Sequence, residues 1–392
     1  MTKNNNPLHA KFKIGFLGAG QLARMSALQA FPLGIHVASF SDRDEKEPLE
    51  FLTPFSQKGS FKSVEDLTKF AKECDVITLE NEFIDSEILS QVQKQSGTPI
   101  YPSPDSFALI ENKLIEKQTF EKAGIAVTPY QAIENEDELS AFGDEYGWPY
   151  LLKSSKGGYD GYGNETVEGI DEAIIAFDNL GGNSGQEIIA EAFIGFTHEL
   201  AVQVARNETG SVVYPCCETV QKDHICVGVK SPAPVDEKVR AKAQEIALNA
   251  MEAIDGKGII AFEFFLTKSG ALLLNESAPR PHNSGHYTIE GCITSQFENH
   301  IRAVLGLPLG AVNLRKPSVA MINLLGTDKR AAQVDNAVKS LKGSDGHLHV
   351  YGKLQSRLGR KMAHYTLLAD KTDENVNEVY ERAQKATGNI RI

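Results

Sequence analysis

The sequence predicts an α/β chain that opens on a doubly wound parallel sheet, continues as an α+β region and ends in a smaller β-rich segment. Three observations carry this. Residues 12–42 read as strand, glycine turn, helix, strand, the start of a doubly wound sheet. Residues 258–276 read as two apolar runs, GIIAFEFFL and ALLLNE, punctuated by Lys268-Ser269-Gly270, which is a hairpin. From Pro317 onward the strands come at a shorter period: SVAMINLLG, HLHVYG and MAHYTLLAD. A length of 392 residues calls for two or three domains.

Composition removes some functions. A formal net charge of −12 argues against nucleic acid as the main partner, while leaving room for a locally basic pocket. No apolar run approaches the ~20 residues that cross a bilayer. The opening MTKNNNPLHAKF has neither a signal core nor an Arg-rich amphipathic pattern, so a cytoplasmic protein is expected. Five scattered cysteines without C-x-x-C spacing give no zinc site and no disulfide framework.

In chain order, FKIGFLG is the first strand, and Gly18-Ala19-Gly20-Gln21 leads into a helix from Leu22 to about Phe31. Such glycines let a phosphate approach the N–H groups at a helix N-terminus. Asp42, after the next strand, stands where a ribose-binding acid would, which keeps a nicotinamide oxidoreductase open. A helix over 63–73 precedes the strand CDVITLENE, whose C-terminal end carries Glu80 and Glu82 as a ligand-facing pair. The Pro-rich stretch 99–104 marks a boundary. One helix is expected over 107–124, with Lys113 and Lys117 one turn apart. The strand WPYLLKSS ends in Lys153 and meets Lys156-Gly157-Gly158-Tyr159-Asp160-Gly161-Tyr162-Gly163, a loop whose N–H groups can wrap a polyphosphate. It is not a P-loop. Glu191 and Glu199 sit on a pair of strands with an irregular link, and the helix KVRAKAQEIALNAMEAI leads to the hairpin. Arg280, His282, Asn283 and His286 follow it as a cluster of donors. Lys353, Arg360 and Lys361 form a basic patch, read either as a solvated loop or as a clamp for an anion.

The hairpin carries one carboxylate in each oily strand, Glu263 and Glu276. A two-residue Ser269-Gly270 turn sets them opposite each other; a three-residue loop makes them diagonal neighbours. At roughly 4 Å and an effective dielectric of about 20, two such charges repel by about 4 kcal/mol. Oxygen-only ligands point to a hard cation such as magnesium, with protonation or pairing to Lys or Arg as the other account.

Taken together, GQLARM, VITLENE, KSSKGGYDGYG, AFEFF, NESAPRPHNSGHYT, SQFENHIRA, MINLLG and YGK with GRKMAH resemble the ATP-grasp enzymes, and among them the 5-(carboxyamino)imidazole ribonucleotide synthases of purine biosynthesis. The similarity covers about residues 12–370. It implies an ATP-grasp fold with a Rossmann-like substrate-binding domain over 1–105, an α+β ATP-grasp domain over 106–310 and a β-rich domain over 311–392. It also implies a cytoplasmic ligase, dimeric as the family commonly is. The activity implied is ATP-dependent carboxylation of 5-aminoimidazole ribonucleotide by bicarbonate, through carboxyphosphate, with magnesium, or manganese in its place. By position, ATP falls to Lys113, Lys153, the 157–163 loop, Glu191 beside the adenine, Glu199 on the ribose, Gln221 and Asn275. Glu263 and Glu276 hold the metal. Arg280, His282 and Lys353 are the catalytic candidates. The ribonucleotide falls to Gly20, Gln21, Glu82, Tyr159, Asp160, Asn283, Ser284, Lys353, Arg360 and Lys361.

Three positions depart from the family pattern. Tyr162 stands where Arg or Lys is usual, Gln221 where many members have His, and Lys113 where Arg is frequent, which keeps charge but loses the planar fork. A purine ligase using formate or an amino acid is the near alternative, and the string from Arg280 to His286 argues against it. A nicotinamide enzyme explains only residues 12–42. A non-catalytic ATP-binding regulator conflicts with the presence of both acidic residues.

Overall fold

A computed structural model describes residues 7–157, 163–342 and 345–392. The first unit is a parallel sheet of β1 (Lys13–Leu17), β2 (His36–Ser41), β3 (Phe55–Lys58), β4 (Val76–Leu79) and β5 (Ile100–Tyr101) in the order β3-β2-β1-β4-β5. The inner strands β1, β2 and β4 are largely buried because both faces are covered, while the edge strand β3 is mostly exposed. Helices α2 (Val64–Lys72) and α3 (Ser86–Ser96) pack Leu67, Phe70, Leu89 and Val92 on one face. On the other, α1 (Gln21–Ala30) packs Ala23 and Ala27 alongside Ile301 and Val304 from far along the chain.

The single helix expected over 107–124 is two, α4 (Pro104–Ala108) and α5 (Lys113–Lys122). Asn112 restarts it, its side-chain oxygen accepting from the N–H groups of Leu114 and Ile115, an N-cap worth about 1 kcal/mol. Lys113 thereby becomes the first residue of α5.

An antiparallel sheet follows, ordered β6 (Tyr130–Ile133), β9 (Ile188–Ala192), β7 (Tyr150–Ser154), β8 (Asn164–Val167), and backed by α6 (Glu136–Tyr146) and α7 (Ile170–Asn179). The remaining strands are β10 (Phe196–Asn207), β11 (Gly210–Val213), β12 (Cys217–Lys222), β13 (Ile225–Ser231), β14 (Gly258–Thr267), β15 (Leu272–Ala278), β16 (Val319–Leu325), β17 (Arg330–Ala331), β18 (His347–Val350), β19 (Gln355–Ser356) and β20 (Lys361–Leu368). β17 and β19 pair apart; the others form one nine-stranded sheet, β15-β14-β10-β12-β13-β16-β20-β18, with β11 on β10. The strands bearing Glu191 and Glu199 therefore do not pair with each other. Each lies inside a different sheet.

Helix α8 (Glu237–Ala253) lays Ala243, Ala247 and Ala250 against Leu200, Val202, Ile260 and Phe262 of the large sheet. Short α9 (Thr288–Gly291) precedes α10 (Gln296–Val304), the helix that reaches back to the first sheet. The β-rich C-terminal region adds β16, β18 and β20 to the same large sheet, with α12 (Val376–Thr387) packed on β16 and β20 and α11 (Ala337–Leu341) beside α12. The five cysteines are free and buried. Among the described residues no helix is long and apolar enough to cross a membrane.

The hairpin resolves the two registers left open. Its loop has three residues: Thr267 N–H bonds the Ala271 carbonyl at 2.9 Å. Leu266 pairs with Leu272 and Phe264 with Leu274, a register that would set Glu263 against Asn275. A bulge at Asn275 moves the register by one, so Glu263 lies directly opposite Glu276.

The first glycine loop, expected to let a phosphate approach, holds one of the chain's own carboxylates. The Glu80 carboxylate occupies it, accepting from Gly20 N–H at 2.6 Å and Leu22 N–H at 3.1 Å. A Cβ on Gly20 would lie 2.4 Å from Glu80 Oε1, and one on Gly18, whose φ is +115°, would lie 2.6 Å from Oε2. The glycines make room for a carboxylate of the chain itself. Gly20→Ala should thus cost about 1–3 kcal/mol, the value of the hydrogen bonds displaced. In denaturant unfolding, Gly20→Ala and Glu80→Ala together should cost less than their sum. Additive losses would mean the glycines answer to something else.

Candidate active site

The large sheet presents one polar face. By the alternation of a strand, Glu199 and Gln203 of β10 share that face, as does Glu263 of β14. The bulge brings Glu276 onto it. Burial, then Glu276 and Glu199, push the Glu263 carboxyl well above the usual range. Burial foremost also raises Glu199, to about 7, against the hydrogen bond it accepts from Gln221 Nε2 at 3.0 Å. Three carboxylates crowd one wall, and the cations around them only partly compensate. Lys113 Nζ lies 3.5 Å from Glu276 Oε2. Lys361 and Arg280 act on Glu263 from farther off. Among the described residues no three acidic, His or Cys side chains stand close enough to share a metal, so Glu263 and Glu276, all-oxygen donors, would suit a hard divalent cation that takes its other oxygens from elsewhere.

Beside this wall lies a buried ion cluster. Glu191 Oε2 is 3.0 Å from Lys153 Nζ and 3.3 Å from Lys117 Nζ, and it accepts from Thr128 Oγ1 at 3.2 Å. Burial pushes this carboxyl up, but Lys153, Lys117 and Lys113 outweigh it and hold it at about 2. Glu191 was expected beside the adenine. Its side chain is 4% exposed and committed to two lysines, so it orients Lys153.

Other expected contacts are likewise satisfied within the protein. Glu82 takes Arg280 as a two-pronged pair, Nε to Oε2 at 2.5 Å and Nη2 to Oε1 at 2.7 Å. Burial opposes the ionised form of Glu82, and Arg280 restores it, leaving the carboxyl below its ordinary value. Asn283 exchanges amide hydrogen bonds with Asn323 at 2.9 and 2.6 Å. Ser284 is 1% exposed and accepts from Gln203 Nε2 at 2.9 Å. Asn283 and Ser284 are thus both engaged within the protein. Their neighbour His282 does stay at the site: its Nδ1 is 2.9 Å from Ser284 Oγ and 3.4 Å from Glu263 Oε1. Burial, then Arg280, hold its pKa well down, so the imidazole is neutral.

The basic patch is not simply solvated. Lys353 Nζ donates to the Lys361 carbonyl at 2.6 Å, and burial, then Arg360, lower its pKa to about 7. Arg360 Nη1 donates to the Gln355 carbonyl at 2.8 Å, and its pKa is lowered by burial and by Arg357 and Arg43. Crowded cations of this kind call for an anion. Sequence reasoning missed Arg24, whose Nη1 is buried without a partner among the described residues and whose Nε lies 3.8 Å from a Cβ built on Gly352. The signal was an arginine in the first turn of the helix that follows the glycine loop. Gly20 N–H is taken by Glu80, and Gln21 begins α1 half-buried. Gly157 and Gly163 flank the second glycine loop with positive φ, whereas Gly158, Tyr159, Asp160, Gly161 and Tyr162 lie outside the described residues.

Three family models match the chain: a ribonucleotide synthetase preATP-grasp domain over 11–111, an ATP-grasp domain over 118–297, and a phosphoribosylaminoimidazole carboxylase C-terminal domain over 319–378. Phosphoribosylaminoimidazole carboxylase of Ogataea methanolica is 39% identical over 367 residues, 91% of this chain and 66% of that protein. The chain thus spans about two thirds of such relatives. N5-carboxyaminoimidazole ribonucleotide synthase of Bacillus subtilis is 35% identical, with 96% of each chain covered. The crystal structure of the Aspergillus clavatus N5-carboxyaminoimidazole synthase with ADP and 5-aminoimidazole ribonucleotide superposes with a TM-score of 0.84 at 34% identity, covering 97% of this chain and 98% of that one.

The acid wall predicts a pH effect on stability. A carboxyl raised in the folded state binds protons that the unfolded chain has released, so stability falls as pH climbs from about 4.5 through the folded value. Glu263→Gln removes this loss. In EDTA, the melting temperature of the variant should overtake that of the wild type by a margin that widens from pH 5 to pH 8. A constant difference would show that Glu263 is not under strain.

Proposed function

The chain belongs to the N5-carboxyaminoimidazole ribonucleotide synthase family, and we propose that it joins bicarbonate to the exocyclic amine of 5-aminoimidazole ribonucleotide at the expense of ATP. The observation that carries this reading is the acid wall of Glu263, Glu276 and Glu199 set between lysines on one side and the Arg280–His282 run on the other. Glu263 and Glu276 would hold magnesium, or manganese, which when bound neutralises the phosphates that ATP brings.

The remaining work falls to the chain's own residues. Lys113 and Lys153 would meet the phosphates, Lys153 held in place by Glu191. Glu199, half-buried, would take ribose hydroxyls, with Gln221 fixing its outer oxygen. Bicarbonate oxygen attacks the γ-phosphorus and ADP leaves. The amine nitrogen then attacks the carboxyl carbon, directly or as released carbon dioxide; phosphate departs and the nitrogen loses a proton. The first step brings anions together, and positioned cations lower that barrier. Arg280 would orient the bicarbonate end, its plane fixed by Glu82. The neutral His282 would serve there as a hydrogen-bonding group. Lys353, Arg360, Lys361 and Arg24 would receive the ribonucleotide's phosphate. The protein would act as a cytoplasmic homodimer, with domains divided near residues 105 and 310.

ADP release should require both bicarbonate and 5-aminoimidazole ribonucleotide, as read in a coupled ADP assay; release indifferent to either one defeats the reading. Lys353 adds a pH limb. As a cation it attracts phosphate, and its charge is lost as pH rises through about 7. Hence kcat/KM for the ribonucleotide should fall above that pH, since this parameter reports the free enzyme. Lys353→Met should lower kcat/KM by about tenfold or more and abolish the limb. A limb that survives the substitution belongs to another group.

A further inference from the structure

Three consecutive residues of β15 are gripped by three side chains of α5. Lys117 Nζ donates to the carbonyl of Asn275 at 3.2 Å. Lys113 Nζ reaches Glu276 Oε2 at 3.5 Å. Glu116 Oε1 accepts from Ser277 N–H at 2.8 Å and from Ser277 Oγ at 2.5 Å. Glu116 and Lys117 are 3% and 2% exposed. Both contact β15 on the flanks of Glu276, and neither is offered above as a ligand contact.

The register shows what this grip does. Leu272 and Leu274 point into the core with Leu266 and Phe264. Two residues on, uninterrupted alternation would send Glu276 into the same core and set Asn275 against Glu263. Only the extra residue at Asn275 turns Glu276 to the polar face, because a shift of one residue exchanges the faces of a strand. A bulged residue loses regular ladder partners, and a buried carbonyl must find another donor. Lys117 is that donor. Beyond the bulge, Ser277 pairs with Phe262, a core residue, and Glu116 binds both its N–H and its hydroxyl. The bulge is pinned on each side.

We infer that Glu116 and Lys117 are positioning residues that hold the Asn275 bulge and so keep Glu276 on the metal-facing side of the sheet. This rests on the reading of Glu263 and Glu276 as the metal-holding pair. Lys117 has a second tie, to Glu191 and Thr128, the latter at 2.6 Å, so the same ammonium joins the bulge to the cluster that holds Lys153. The grip also makes Lys113 part of the same rigid unit. A phosphate drawn to the start of α5 would be presented to Glu276 at a fixed distance.

The test uses ADP and manganese with the intact chain. Manganese binding in the presence of ADP is followed by its paramagnetic resonance signal, and ADP binding in EDTA by calorimetry. Lys117→Met and Glu116→Leu should each weaken manganese binding about tenfold, the usual loss when a residue that orients a metal ligand is removed. Metal-free ADP binding should stay within about twofold in Glu116→Leu. Glu116→Gln, which keeps an oxygen for both Ser277 donors, should restore manganese affinity nearly to the wild-type value. If one of the two damaging variants does not fold, the other decides. Wild-type manganese affinity in a folded Lys117→Met or Glu116→Leu overturns the inference, as does equal loss in Glu116→Gln and Glu116→Leu. Manganese that binds no better with Glu276 intact than in Glu276→Gln would instead overturn the underlying metal-site reading, which separates the two failures.

Discussion

Two carboxylates face each other across neighbouring strands, and the site is built to make that arrangement bearable. Glu263 and Glu276 sit opposite one another, with Glu199 adding a third negative charge on the same face. Left alone, such a wall would protonate, or the strands would slip by one residue and bury Glu276 in the core. The slip is opposed by bonds from α5 to the bulge and to Ser277. On Glu263, Lys361 and Arg280 act against protonation without outweighing burial and the neighbouring carboxylates, while Lys113 stands 3.5 Å from Glu276. The wall is thus a set of carboxyls held together against burial and mutual repulsion in a rigid frame, as functional sites tend to be, at some loss of stability.

The cations come from separate parts of the chain, which explains why the parts must dock. Lys113 starts α5, Arg280 follows β15, and Lys361 begins β20. The contacts that fix their relative positions are specific. Arg280 reaches Glu82 at the C-terminal end of β4, where doubly wound sheets place their sites, and the two-pronged geometry sets the angle as well as the distance. His300 of α10 lies deeper between the same two units. Its Nδ1 accepts from Ile259 N–H at 3.2 Å, so its Nε2 donates to Thr78 Oγ1 at 2.9 Å. Burial lowers its pKa to about 3, which keeps it neutral and suited to bridging apolar layers. One charged tie at the rim and one neutral tie in the interior thus lock the first sheet onto the large one.

Much of this was legible in the sequence. The opening strand-helix-strand, the helix over 63–73 with the strand after it, the apolar hairpin, the amphipathic α8 and the longer C-terminal strands all follow from periodicity and turn residues, while β3, α3 and β5 went unread. The nearness of Glu263 and Glu276 across the hairpin was legible too, though not which of two registers sets them face to face. What could not be read falls into two kinds. Backbone irregularities leave no periodic trace: the break at Asn112 and the bulge at Asn275 each depend on a few hydrogen bonds made in the folded state. Partners distant in the chain are the other kind. Glu191, Glu82, Asn283 and Ser284 have the side chains of ligand-binding residues, but each is engaged by Lys117 and Lys153, Arg280, Asn323 or Gln203, residues that no spacing rule connects to them. Lys117 was visible one turn after Lys113, yet its use lay across the fold on β15 and β9.

The glycine loop after β1 shows how a partner revises a motif. Read alone, Gly18 and Gly20 before a helix describe an anion site, and an anion is there, but it is Glu80. Burial raises the pKa of this carboxyl, while Gly20 and Leu22 N–H groups favour its charged form. A phosphate brought to the same donors would have to displace Glu80 or stand against its charge. The stretch 353–361 offers the opposite conditions. There Lys353 is close enough to Glu80 for the carboxylate to support its charge, while Arg360, Lys361 and Arg357 oppose it. Glu80 is therefore better placed to steady the cation than to compete for the phosphate. The helix N-terminus organises the cradle through its own carboxylate, and the cradle, with Arg24 reaching toward Gly352 from the same helix, is where a dianion gains most.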